Sequence, residues 1–158
     1  LSRGLGDVYK RQRLDNDKTR GQQVARLNEL RLGIEPVAAR LAAGNATAQQ
    51  RAELLRLAAR LAELESTPSP RVGEELETDL RFHTLILRAS GNEMLAALAP
   101  SLVAMLKGKS VFGSRKRDPI SGTTQLHMEL ARAIDAGLAD AAEETSRTIL
   151  DRTRAENG

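Results

Sequence analysis

Apolar residues recur at helical spacing in one segment after another of this chain, and hardly any of them is aromatic. With no Trp, one Tyr and two Phe, a core drawn from the 41% hydrophobic residues must be built of Leu, Ala, Ile and Val. The abundance of Ala, Leu, Arg and Glu favours helix over strand. The expected fold class is therefore all-α, an antiparallel bundle of about six helices. A chain of 158 residues can enclose one such core, so a single domain is the default.

Residues 1–22 are polar, rich in Gly, Asp and Arg, and lack a sustained apolar period, so they read as a tail or linker. The opening Leu1-Ser-Arg-Gly-Leu-Gly-Asp-Val-Tyr-Lys-Arg-Gln12 looks like translated read-through; these 12 residues are read as non-native, with the native start upstream. Residues 23–156 form the expected domain. Leu27, Leu30, Ile34, Ala38 and Leu41 carry a first helix from Val24 to Ala43, stopped by Gly44-Asn45. Thr47-Ala-Gln-Gln50 has the form of a capping box opening a second helix, which runs to the Pro68 break. Ser69-Pro70 is the expected N-cap of a third, ended by Gly91. Asn92 caps a fourth, in which Pro100 should kink or interrupt the chain. A fifth spans about Thr123 to Ala136 and stops at Gly137, and a sixth runs from about Ala139 to Arg154 with Ala142, Thr145, Ile149 and Leu150 inward.

The absence of cysteine excludes disulfides and thiolate metal sites. No apolar run approaches the roughly 18 residues of a membrane span, and no signal peptide opens the chain, so a cytoplasmic protein without membrane attachment is expected. The net charge of +3 is modest and the basic residues are interleaved with acids, which fits a solvated surface better than a nucleic-acid stripe. Two clusters stand out: Lys10, Arg11 and Arg13, then Lys107, Lys109, Arg115, Lys116 and Arg117. The second surrounds glycines and reads as an exposed connection, without aromatics on which bases could stack.

Chemistry concentrates elsewhere. Asp79 and His83 lie four apart and share a helical face with Leu76, Leu80, Ile86 and Leu87, so both point into the core, one above the other. His127 occupies a second apolar face, followed by Leu130, Ala131 and Ile134 at the same period. A single inward His is usually a core residue bonded to a carboxylate, and Asp79 could serve His83 so. Three such residues on two apolar faces favour a divalent cation, which removes the cost of a buried carboxylate by taking all three as ligands. Arg31 shares the face of Leu27 and Ile34; its guanidinium either meets an anionic effector, or pairs with Glu35 or Asp79, or reaches out to solvent. A cation and Arg31 lining one cavity would suit a small organic acid.

The segments Leu30-Arg-Leu-Gly-Ile-Glu-Pro-Val-Ala-Ala-Arg-Leu-Ala-Ala43 and Asp79-Leu-Arg-Phe-His-Thr-Leu-Ile-Leu-Arg-Ala-Ser-Gly-Asn92, then His127, Ala133-Ile-Asp-Ala-Gly137 and Ala141-Ala142, resemble the FCD domain, the helical C-terminal domain of FadR-type regulators in the GntR family. The resemblance covers about Arg26 to Arg154. It implies a homodimeric transcription regulator and not an enzyme. In such a regulator the helical domain binds an effector, often a carboxylate metabolite, and a winged helix binds operator DNA. It also implies a divalent metal, commonly zinc, on an Asp-x-x-x-His pair and two later histidines. Asp79, His83 and His127 match three of these positions.

By spacing, the fourth histidine falls at Ile149, which cannot ligate. Either the effector and water complete an open shell, or the site is metal-free, as in the acyl-CoA-binding branch of the family. No winged-helix segment of the expected length precedes Val24, so this chain is expected to be the sensing half of the regulator. The rival class is a metal-dependent Asp/His/His enzyme; against it stand the helical architecture and the lack of any nucleophile elbow, Gly-rich phosphate loop or Glu-x-x-His pair.

Overall fold

The computed structural model describes residues 4–8, 20–113 and 123–157, and within these they are helical apart from short turns. Residues 4–8 make one helical turn, α1. The others are α2 (Arg20–Asn45), α3 (Ala48–Ser66), α4 (Glu74–Ala89), α5 (Glu93–Ala97), α6 (Ala99–Gly113), α7 (Thr123–Asp135) and α8 (Ala139–Asn157). The expected all-α class holds, and no strand occurs among the described residues. The basic clusters at Lys10, Arg11 and Arg13 and at Arg115 to Arg117 lie outside the described residues.

The interior is aliphatic. Ala38, Ala39, Ala42 and Ala43 of α2 are buried, and side chains this small let a helix backbone approach its neighbours closely. α2 packs chiefly along α8, a seam crossed on the outside by Arg40 with Asp140 and Glu143. Leu54 and Leu57 of α3, Phe82, Ile86 and Leu87 of α4, Leu102 of α6, Leu130 and Ile134 of α7 and Ile149 of α8 fill the remainder.

The helix ends follow local chemistry. Thr47 forms the expected capping box: its hydroxyl accepts the Gln50 N–H at 3.1 Å and Gln50 Oε1 accepts the Thr47 N–H at 3.0 Å. α7 ends at Gly137, whose φ of 71° admits the paired bonds from Leu138 N to Ala133 O and from Gly137 N to Ile134 O. Arg51 then gathers carbonyls from two helix ends, donating to Ala43 of α2 and Ala46 just beyond it and to Ile134 and Asp135 of α7. Asn45 donates to Ser90 O at 2.9 Å and so brings in the end of α4. The C-termini of α2, α4 and α7 therefore meet at one end of the bundle, and these helices run in the same sense while α3 and α8 return between them.

Two boundaries and one side-chain orientation differ from the sequence expectation. The third helix starts at Glu74, after Gly73 at φ 85°, and the Ser69 hydroxyl accepts only the Arg71 N–H two residues on. A left-handed Gly73 cannot sit inside a helix, so Ser69-Pro70 ends as a turn. Asn92 does cap the next helix, through Met94 N and Leu95 N, but the chain breaks at Leu98, and Pro100 sits in the first turn of α6, where its missing N–H costs nothing. Leu30 points outward with 40% of its surface exposed, whereas Arg31 and Glu35 are buried on the same helix.

Candidate metal centre

α4 carries Asp79 and His83, α7 carries His127, and α2 carries Arg31 and Glu35. Counted back from the ends that meet, these five residues lie 6–14 positions into their helices, so a rise of about 1.5 Å per residue puts them in one central layer of the bundle. α4 and α7 each pack against α2 and α3 and meet one another at most weakly. The polar side chains bridge that gap.

Two ring nitrogens are turned away from the centre by acceptors. His127 Nδ1 lies 2.6 Å from the Thr123 carbonyl, and His83 Nδ1 lies 2.6 Å from Glu35 Oε1. A carbonyl and a carboxylate can only accept, so both Nδ1 atoms carry protons and both Nε2 atoms face inward. They converge with one carboxylate oxygen. The Nε2 atoms are 3.2 Å apart, and Asp79 Oδ1 lies 3.3 Å from His83 Nε2 and 3.1 Å from His127 Nε2.

Three electron-rich atoms at such separations need positive charge among them. Burial lowers the affinity of His83 for a proton, but the charges of Glu35 and Asp79 overcome it and push its pKa up to about 9. Burial likewise raises Asp79, yet the charge of His83 and its contacts with the imidazoles hold its carboxyl well below the usual range. Glu35, raised by burial but lowered more by Arg31 and His83, stands at about 2. Without metal, a proton on His83 thus supplies the positive charge.

The triangle also fits a metal ion. Zinc bonds of about 2.0–2.2 Å imply ligand-to-ligand edges of about 3.3–3.6 Å in a tetrahedron and about 2.8–3.1 Å in an octahedron. The observed edges fall in or beside that span, and among the described residues this is the one cluster of three such side chains close enough to hold an ion. His83 and His127 are 4% and 5% exposed, whereas 24% of the Asp79 side chain remains accessible. Ile149 is buried on α8 and offers no donor atom.

The structure therefore brings Asp79, His83 and His127 together as expected. Arg31 is drawn in indirectly: its Nε and Nη2 donate to Glu35 at 2.5 and 3.3 Å, the internal pairing that the sequence left open. The contact of Glu35 with His83 was not foreseen. Its one signal was a carboxylate four residues from Arg31, on the inward face that continues through Ala38 and Ala42.

An all-helical bundle with an internal Asp/His/His cluster is the class that fold and site define. The FCD domain model matches residues 26–152, nearly the whole described bundle, and the chain belongs to that family. Eight chains of known structure match significantly. One, described as a Streptococcus agalactiae GntR, has a TM-score of 0.73 at 24% identity over 89% of this chain. At that identity the likeness is one of fold, and the match covers 62% of that protein's own chain. No curated protein matches significantly.

Proposed function

We propose that this chain is the effector-sensing domain of a GntR/FadR-type transcription regulator, with Asp79, His83 and His127 holding a divalent cation, zinc by preference, to which a small organic acid binds. The observation that carries this reading is the convergence of two inward Nε2 atoms and one carboxylate oxygen, with both rings held from behind. Membership of the FCD family supports the sensing role. When bound, the metal supplies a Lewis-acid seat for a carboxylate oxygen.

Charge and valence favour an anionic guest. One carboxylate and two neutral imidazoles leave a divalent ion with net positive charge, while Glu35 and Arg31 cancel one another. With Ile149 giving no fourth ligand, a position stays open for the acid. Glu35 takes two of the five N–H groups of Arg31, so the guanidinium retains donors for the acid's second oxygen. Effector binding would alter how two such domains pack in a homodimer, and thereby the spacing of winged helices on operator DNA in the cytoplasm.

Thermal shift of the purified chain, with divalent metals and small carboxylic acids added separately and together, tests the reading. Zinc should raise Tm, acids should raise it further only with the metal present, and His83→Ala should abolish both responses while leaving the fold. The closed proton-mediated contacts of the metal-free site favour a second reading, a metal-free acyl-CoA or fatty-acid-type sensor; a ligand that stabilises the chain equally in chelator would establish it. Sustained turnover of an acid with Fe(II) and oxygen would instead establish an enzyme.

A further inference from the structure

We propose that Glu35, backed by Arg31, is a positioning residue for the cation site: it holds the His83 ring with Nε2 inward and ties α2 to the joint between α4 and α7. This rests on reading the site as a cation centre.

The two histidines are anchored differently. His127 is held within its own helix, by the carbonyl of Thr123 four residues earlier. His83 instead turns its Nδ1 to a side chain of another helix, Glu35 of α2, while the Asp79 carboxylate four residues earlier meets its Nε2. Glu35 is 2% exposed and accepts at both oxygens: Arg31 Nε on Oε2, and Arg31 Nη2 and His83 Nδ1 on Oε1. Turning the ring over would exchange the Nδ1 donor for a carbon and leave a buried carboxylate short of a partner. Arg31 fixes the Glu35 side chain from the opposite edge and neutralises its charge, so the clamp orients without adding an anion to the cation's ligands. The Glu35 contact thus joins the His83 ring directly to α2, beside the packing of α4 on that helix.

The test compares the full chain with Glu35→Ala and Glu35→Gln. In metal-free protein, imidazole nitrogen NMR should show a hydrogen-bonded His83 Nδ1 proton that is lost in Glu35→Ala. In Co²⁺ titrations against a chelator, Glu35→Ala should bind about 10–100-fold more weakly, with an altered visible spectrum. Glu35→Gln, which keeps an acceptor oxygen, should recover part of the affinity. A merely structural ion pair would lower Tm but leave Co²⁺ affinity, spectrum and the His83 proton as in the parent, and that result overturns the proposal. If Glu35→Ala does not fold, Glu35→Gln decides. If the parent chain takes up no Co²⁺, the cation reading fails, and the metal-free His83 signal alone decides whether Glu35 positions the ring.

Discussion

Two polar clusters join α2, α4 and α7, one at the end of the bundle with Arg51 of α3 and one in its middle, and they are built in opposite ways. At the end, Arg51 and Asn45 supply donors and the backbone supplies acceptors, five carbonyls in all. Every partner there is a main-chain carbonyl at or just beyond a helix end, and Ile134 O also accepts the Gly137 N–H. In the middle, acceptors face acceptors: two imidazole Nε2 atoms and a carboxylate oxygen point at one another. A self-sufficient cluster is read as structure, and one that stays incomplete without an added cation is read as a site.

The largest expected effect breaks the middle cluster and spares the end. His127→Ala should lower zinc affinity at least 100-fold, about 3 kcal/mol, since two ligands remain on a single helix. Its metal-free Tm should change far less, and isothermal titration beside a melting curve reads both. A variant that kept its zinc affinity would remove His127 from the ligand set.

Arg51→Ala inverts the comparison. Four helix-end carbonyls lose the guanidinium, though Ile134 O keeps the Gly137 N–H and others find water because Arg51 is only half-buried. A loss of about 2–3 kcal/mol is expected, or about 5–10 °C in Tm for a domain of this size. Zinc affinity of the folded protein should stay within about twofold. A parallel collapse of zinc binding would show that the two clusters are coupled and not independent.

Much of this was legible in the sequence, for local reasons. Thr47 with Gln50, and Gly91 and Gly137, mark helix ends through bonds spanning a few residues, so the pattern suffices. Asp79 and His83 declare a common face by their spacing, and His127 is followed at helical period by Leu130, Ala131 and Ile134, all buried. What stayed hidden depends on how helices are rotated against one another. Leu30 looks inward by period but lies outside, while its neighbour Arg31 is buried, so the inward face of α2 runs through Arg31, Glu35, Ala38 and Ala42. Glu35 reads as a salt-bridge partner for Arg31 until α4 is laid beside α2, and no local rule supplies that placement.

The smallest expected effect is a pH dependence confined to the middle cluster. In chelator, His83 has a folded-state pKa of about 9, above the 6.5 of an unperturbed histidine. Its proton therefore stabilises the fold fully below about pH 6.5, and that contribution is lost as pH rises through 9. Glu35 and Asp79 shift the other way, so their contributions are present above the ordinary carboxylate range and vanish only under strong acid. Between pH 5 and 9.5 only the histidine arm should move. The metal-free Tm should hold level to about pH 6.5 and then fall by a few degrees, a decline damped by relaxation of the buried network. Arg51→Ala should show the same decline from a lower start, since the bundle end holds no group titrating in this range. His83→Ala should show none; an equal slope in that variant would place the titration outside the Asp79/His83/His127 cluster.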